Sequence, residues 1–463
     1  MQNADEIDLP ISITDEGELI RNPYPNLPVL VLGATGSGKN TASVMPTAQA
    51  LFGYPDIAVY HNDPKRGESY AQLRGVAQQT GRSLGCIDDF GEYGFDNPDR
   101  FNLNPFGWLL STLKYEPAKL NFAIETASYI FLEEIDDGRR NFVFREKPRR
   151  VLQLGMRFLA EFKPDLLTPG GLSDLISDPY TWRSAREIAA GEGSTALKAR
   201  ARSSLDLEEQ YPDDYFRHYE AAISELAPYE AGSVLNTAGA NADITHEQLC
   251  RDGWYVCGVL PPEHAQRVAV HTALHQQSFL AAQFSGRGGT LYCIVDEMNN
   301  SPQRKAIEAT TIQRSSKISN LWAAQSYEDI ERQYGKKLAK VLADSCPVHI
   351  YLSFSYEDAE RVSKRWGEEI SIQRSVNANA SQLEVSGSMS MGKQAAMTMD
   401  ELVTLDPAYQ VVYIRGVGHF VCPKLFQNQI APTCHWLSPN PQEGGVLPPD
   451  PKIELPVHYG EAS

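Results

Sequence analysis

No stretch of this 463-residue chain approaches the ~18–20 consecutive apolar residues that a bilayer-spanning helix needs. The best run, Val268 to Phe284, is broken by His271, His275, Gln276 and Gln277. The opening MQNADEIDLP lacks the basic and apolar regions of a secretory signal, so the chain is expected in the cytosol. Excess basic charge is missing too: 42 Lys and Arg stand against 59 Asp and Glu, a net charge of −17. That excludes binding of nucleic acid or anionic lipid through a global field and leaves only local patches or partners. The seven cysteines (Cys86, Cys250, Cys257, Cys293, Cys346, Cys422 and Cys434) are scattered, with no CxxC pair. Neither a disulfide framework nor a zinc ribbon is indicated, and buried reduced thiols are expected. No repeat of about 20–50 residues is present.

What is present is an ordinary globular composition, 42% apolar and 22% charged. Leu27-Pro28-Val29-Leu30-Val31-Leu32 reads as a buried parallel strand ending at Gly33. Ile57–Tyr60 and Ser83–Ile87 read as further strands with helices between them, the pattern of a doubly wound, mainly parallel sheet. From about Leu110 to Leu226 helix-period patterns replace strands, clearest at Thr126–Leu132 and Val151–Leu159. Strand signals return at Trp254–Leu260, Leu291–Val295, Leu321–Ala324, Val348–Leu352 and Val411–Ile414, so the sheet is assembled from both ends of the chain. The expected division is a lead over 1–26, a nucleotide-binding domain in two parts over 27–112 and 233–430, an all-α insertion over 113–232, and a Pro-rich tail over 431–463. The Ser/Asn/Gln-rich stretch Ser371–Lys393 reads as a mobile loop.

Gly33-Ala34-Thr35-Gly36-Ser37-Gly38-Lys39 has the GxxxxGK spacing of a P-loop, placed after a predicted strand and before a predicted helix. The glycines let backbone N–H groups turn inward around phosphate oxygens, the helix N-terminus adds partial positive charge, and Lys39 reaches the terminal phosphates. ATP with Mg²⁺ is the expected ligand. The residue after the lysine, usually a hydroxyl that meets Mg²⁺, is Asn40, with Thr41 next. An amide oxygen can ligate the ion directly or through water, so Asn40 is a candidate metal ligand.

A P-loop needs an acidic partner on a neighbouring strand, and Leu291–Val295 leads into Asp296-Glu297. Asp296 is suited to the Mg²⁺ shell and Glu297 to polarising the attacking water. Gln325 ends the next strand candidate, where its amide could sense the terminal phosphate. Arg314, eleven residues earlier, fits both an arginine finger reaching a neighbouring subunit and a plain exposed helix charge.

These pieces, in this order, resemble the type IV secretion and conjugation coupling proteins, the TraG/TraD-like branch of RecA-type motor ATPases. The resemblance runs from about Leu27 to Phe426. It rests on GATGSGKNTASVMPT, Asp63-Pro64-Lys65 followed by Arg66-Gly67-Glu68, Arg100-Phe101-Asn102-Leu103-Asn104-Pro105, Ser233–Ala238, VDEMNN, and Trp322-Ala323-Ala324-Gln325-Ser326. It implies a RecA-like P-loop NTPase domain with an all-α insertion, a homo-hexameric ring, ATP and Mg²⁺ as cofactors, and recruitment of relaxase-bound DNA or a protein effector to channel components. It assigns Lys39 as the P-loop lysine, Asp296 and Glu297 as the acidic pair, Gln325 as the glutamine-motif residue and Arg314 as the finger candidate. The family carries N-terminal membrane helices that this sequence does not show, so a cytoplasmic location is expected, reaching the bacterial inner membrane through partners. A soluble DNA-translocating or helicase-like ATPase, and an adaptor that binds nucleotide without turnover, are the alternatives.

Within the expected insertion, Arg139, Arg140, Arg145, Lys147, Arg149 and Arg150 form a basic run around Phe142 and Phe144. Such a run either contacts DNA, its rings stacking on bases, or is a solvated loop and helix start with buried rings. Around a ring, small basic patches add, which would reconcile an acidic monomer with a DNA channel. Lys198-Ala199-Arg200-Ala201-Arg202 reads as a solvated helix face. His264, His271 and His275 form no metal triad with nearby carboxylates and are expected in packing or on the surface.

Overall fold

The computed structural model describes residues 7–133, 142–265, 267–378, 385–442 and 452–454. A short antiparallel ribbon, β1 (Pro10–Ile13) and β2 (Leu19–Arg21), precedes the main sheet. The sheet strands follow in chain order: β3 (Val29–Leu32), β4 (Ile57–Asp63), β5 (Leu84–Ile87), β6 (Tyr255–Val259), β7 (Thr290–Val295), β8 (Ile318–Ala324) and β9 (Val348–Tyr351). The hairpin β10 (Glu368–Ala378) and β11 (Val385–Ala395) comes next, then β12 (Tyr409–Ile414) and β13 (Gly418–Pro423), which complete the sheet, and a final pair β14 (Ile430–Ala431) and β15 (Ile453–Glu454). Among the described residues the sheet has nine strands in the order β13-β12-β9-β3-β8-β7-β4-β6-β5. Seven run parallel, and β12 and β13 add an antiparallel edge.

Strands buried on both faces need continuous apolar runs, and period-two alternation sorts their side chains between two cores. Val29, Val31, Val59, Tyr292 and Ile294 join one core; Leu30, Leu32, Ala58, Tyr60, Leu291, Cys293 and Val295 join the other. Each such side chain contributes about 1.5–3 kcal/mol by leaving water.

Helices α1 (Met45–Leu51) and α2 (Glu68–Thr80) cover the first crossovers. Between β5 and β6 lie α3 (Gly107–Tyr115), α4 (Leu120–Phe131), α5 (Phe142–Phe162), α6 (Pro169–Ser177), α7 (Pro179–Glu192), α8 (Thr195–Gln210), α9 (Pro212–Leu226) and α10 (His246–Arg251). Their starts are written locally: Thr168, Asp178 and Ser194 accept a backbone N–H three residues on, and Pro169 and Pro179 occupy the first helical position. A third core forms here around Trp182, Phe158, Leu172 and Leu226, and it extends into α11 (Ala269–Phe284) through Ala273 and Leu274. The second half of the sheet is covered by α12 (Arg304–Gln313), α13 (Tyr327–Tyr334), α14 (Lys336–Ser345), α15 (Tyr356–Trp366) and α16 (Met399–Val403). No helix among the described residues is long and apolar enough to cross a membrane.

Two expectations change. The stretch read as a mobile loop contains most of the β10–β11 hairpin, paired in unbroken register from Glu368↔Ala395 to Ala378↔Val385. Polar composition masked the alternation of Ile370, Ile372 and Val376. The Pro-rich end also folds back. The Ser438 N–H donates to Gln72 O at 2.9 Å, and Ile453 and Glu454 pair with Ile430 and Ala431.

Gly170, in the first turn of α6, packs against the chain between Ser233 and Ala238: a Cβ there would meet Asn236 O at 1.7 Å. Gly191 in α7 has nothing within 4 Å. Gly170→Ala is expected to cost more than about 2 kcal/mol and lower Tm by several degrees, whereas Gly191→Ala should gain about 0.5–1 kcal/mol. Thermal denaturation of both variants reads the contrast.

Candidate nucleotide site

The loop between β3 and the following helix emerges at the C-terminal edge of the parallel strands, near the middle of the sheet. Gly36 and Gly38 hold φ of 81° and 90°, a region closed to most side chains, and a Cβ at Gly33 would meet Ser37 Oγ at 2.5 Å. The helix opens with a π-helical turn over Asn40–Val44 that runs directly into α1. Pro46 explains it: lacking an N–H and crowding the carbonyl four residues back, proline forces the preceding turn wider.

Neighbouring strands brace the loop. The Gly33 N–H donates to Ala324 O at the end of β8, at 3.2 Å, and the Ala34 N–H donates to Ser353 Oγ, just past β9, at 2.8 Å. Gln325, next after Ala324, is exposed beside the loop. Lys39 is 5% exposed, and its ammonium donates to Gly33 O at 2.7 Å and stands 3.4 Å from Glu297 Oε1. Asp296, 3% exposed, directly follows β7, and its Oδ1 accepts the Glu297 N–H at 3.0 Å. Glu297 sits at φ 49°, a left-handed conformation that costs of order 1–3 kcal/mol off glycine and here turns its carboxylate toward Lys39.

Three residues of the site escaped the sequence reading. Lys65 Nζ lies 3.0 Å from Asp296 Oδ2. Burial works against its charge, but the Asp296 carboxylate more than offsets this and holds the Lys65 pKa above the ordinary lysine range. Lys424, after β13, is buried and donates to Ser37 O at 2.9 Å, with burial lowering its pKa. Ser353 is the third. Asp63, at the end of β4, accepts the N–H groups of Ser69 and Lys65, yet burial pushes its pKa up to about 6. The DPK run was visible in the sequence, whereas Lys424 and Ser353 carry no local signal.

Phosphate and Mg²⁺ fit this cradle. Among the described residues, Ser37 Oγ and Asn40 Oδ1 are buried without a hydrogen-bond partner, and a Cβ at Gly36 would have nothing within 4 Å. Asn40 and Asp296 are the residues that would hold the ion, with the Thr41 hydroxyl now directed to Gly38 O at 3.4 Å. Arg314 does not join them. It is exposed ahead of β8, whose seven residues put it roughly 20 Å from this chain's own loop.

The basic run is only partly a surface. Arg139 and Arg140 fall outside the described residues. Arg149 must be withdrawn as a DNA contact: it is 0% exposed, its Nε donates to Leu132 O at 2.9 Å, and its guanidinium lies 3.9 Å from the Tyr129 ring centroid. It sits one helical turn from Arg145, whose guanidinium donates to Glu133 O, and Lys147 is paired with Asp214 at 2.6 Å. Arg150 is 70% exposed and Phe144 is exposed, so the expectation of a buried Phe144 fails as well.

The histidines also depart from expectation. His271 and His275 on α11 meet the carboxylate of Asp89, 182 residues earlier than His271, in a buried cluster that could hold a metal ion. The partner lay too far off in sequence to be counted as nearby.

A parallel α/β sheet with a helical region, a glycine-rich phosphate loop and an acidic pair on the second strand over define a protein of the RecA-like P-loop fold. Residues 290–407, from β7 through α16, match the family described as the TraM recognition site of TraD and TraG. No curated protein matches the chain. Among solved structures, the bacterial conjugative coupling protein TrwBΔN70, unbound, is 14% identical with a TM-score of 0.62, over 91% of each chain. Plasmid coupling protein TrwB in complex with ADP and Mg²⁺ is 13% identical with a TM-score of 0.61, over 90% of this chain and 89% of that one. VirB4 of Thermoanaerobacter pseudethanolicus is 16% identical with a TM-score of 0.50, over 91% and 97%. These likenesses show the fold.

The Lys65 ammonium occupies the Asp296 oxygen that a Mg²⁺ ion would use. Lys65→Gln is therefore expected to lower the Mg²⁺ concentration needed for half-maximal binding of a fluorescent ATP analogue by about fivefold, the worth of ~1 kcal/mol for a pair whose lysine is partly open to water. A rise instead would mean that Lys65 orients Asp296.

Proposed function

We propose that the chain is the ATP-driven motor of a type IV secretion or conjugative coupling protein, active as a homo-hexamer, which recruits relaxase-bound DNA or a protein substrate and drives its transfer into the channel. The observation that carries this reading is the contact of Lys39 with Glu297, which joins the phosphate loop to the acidic pair in a single buried site. The match over residues 290–407 supports the coupling-protein assignment and suggests docking of a TraM-like partner on that part of the chain.

When bound, Mg²⁺ supplies neutralisation of the charge on the terminal phosphates. The loop N–H groups of Thr35, Gly36, Gly38 and Lys39 and the Lys39 ammonium would bind phosphate oxygens, and Asn40 and Asp296 would hold the ion. Glu297, released from Lys39 as that ammonium turns to phosphate, is free to accept a proton from water at Oε1. Gln325, exposed beside the loop, is the candidate to sense the terminal phosphate or its water, and Arg314, exposed and remote from its own loop, is the arginine-finger candidate for a neighbouring subunit. An adaptor that binds nucleotide without turnover is the second reading, favoured by Asn40 where a hydroxyl is usual.

ATP hydrolysis with and without single-stranded DNA separates the two. Turnover stimulated by DNA, and reduced at least about 100-fold in Lys39→Ala and Glu297→Gln, supports the motor. Tight binding without turnover under oligomer-forming conditions would sink it.

For DNA, reversing Arg139, Arg140 and Arg150 to Glu is expected to weaken binding and flatten its dependence on log salt by about two units, at ~0.7 per phosphate contact. Arg149→Gln should leave that slope unchanged while lowering Tm. An unaltered slope in the triple variant would remove the patch as a DNA surface.

A further inference from the structure

We propose that Asp89, His271 and His275 form a Zn²⁺ site, separate from the nucleotide site. His271 Nε2 lies 2.8 Å from Asp89 Oδ2, His275 Nε2 lies 3.6 Å from the same oxygen, and the two Nε2 atoms are 3.3 Å apart. Ligands of a tetrahedral Zn²⁺, each about 2.0–2.1 Å from the metal, stand roughly 3.3 Å from one another, and a point at that distance from all three atoms lies just off their plane. The i, i+4 spacing on α11 puts both imidazoles on one helix face, and Asp89 comes from the end of β5.

The surroundings are those of a ligand set. His275 Nδ1 is 3.0 Å from His246 Nε2, and His271 Nδ1 is 3.4 Å from the Tyr229 hydroxyl. Each ring's far nitrogen is thus held by an outer partner, which fixes the ring and leaves Nε2 for a metal. Asp89 is buried, and the Arg100 guanidinium lies 3.3 Å from its Oδ1, which leaves Oδ2 facing the two imidazoles.

The cluster borders a cavity of about 10 Å³, space for one water centre. Thr272, 3% exposed, lines the same cavity, and among the described residues its Oγ1 has no hydrogen-bond partner. A single water there completes four-coordination and can hydrogen-bond Thr272. Six-coordinate Fe²⁺ with the same three ligands would need three open positions, for which the cavity has no room. The site would tie the end of β5 to α11 and, through Tyr229 and His246, to the helical region.

The test uses the full chain, stripped with chelator, dialysed and titrated with Co²⁺ alone as a spectroscopic probe. About one equivalent per chain with the intense visible bands of four-coordinate Co²⁺, displaced by Zn²⁺, is expected for a single site. Lys39→Ala and His264→Gln should retain it, and Asp89→Asn and His271→Gln should lose it. Should those two fail to fold, Tyr229→Phe keeps the side-chain volume and is expected to weaken Co²⁺ binding about tenfold. Absence of the bands in the wild type, bands unchanged in Asp89→Asn, or an unchanged Co²⁺ affinity in Tyr229→Phe would overturn the site.

Discussion

The buried ammonium of Lys39 is the constraint on which the rest of the site depends. A lone ammonium this far from water would lose its proton or open the structure. It is tolerated because Gly33 O and Glu297 converge on it from two different elements. That convergence is a property of the sheet. β8 lies between β3 and β7, in parallel register with both, so the phosphate loop and the acidic pair emerge at the same edge one strand apart. The left-handed Glu297 backbone is the local cost of closing the remaining distance.

Lys39, Lys65, Asp296 and Glu297 together carry zero net charge in two contacts, Lys39 to Glu297 and Lys65 to Asp296. In the proposed function, a phosphate chain would draw Lys39 from Glu297, and a divalent cation would compete with Lys65 for Asp296. A site balanced in this way needs little net desolvation to switch. Lys424 extends the same logic, since its ammonium already donates to a phosphate-loop carbonyl from the antiparallel edge of the sheet.

What was legible in the sequence was what is local. The phosphate loop, the Asp296-Glu297 step, the parallel strands and the helical stretch each fit within a few residues of turn chemistry or hydrophobic period. Contacts made by chain reversal left no such trace. Lys424 and Ser353 reach the loop only because β9 and β13 return to that edge, and Asp89 meets His271 only because the turn after β5 reaches α11. The basic run failed differently. Composition marked six cations alike, but helix phase turns Arg149 inward over Tyr129 while Arg150 points to water. In the β10–β11 stretch, polar residues hid a period of two that pairing then made plain.

The remaining link is between the helical region and the sheet, and α11 supplies it. Ala273 and Leu274 belong to the helical core, Phe279 and Leu280 to a core of the sheet, and a short turn leads from the helix into β7, which ends just before Asp296. Load on the helical region therefore has a short covalent and packed route to the acidic pair. At its N-terminal end α11 is held by His271 and His275 against Asp89, and toward its C-terminal end Ser278 donates to Pro105 O at 3.1 Å. Held at His271, His275 and Ser278, the helix couples the packing of the helical region to that of the sheet, the arrangement the proposed function would use to link substrate to the acidic pair.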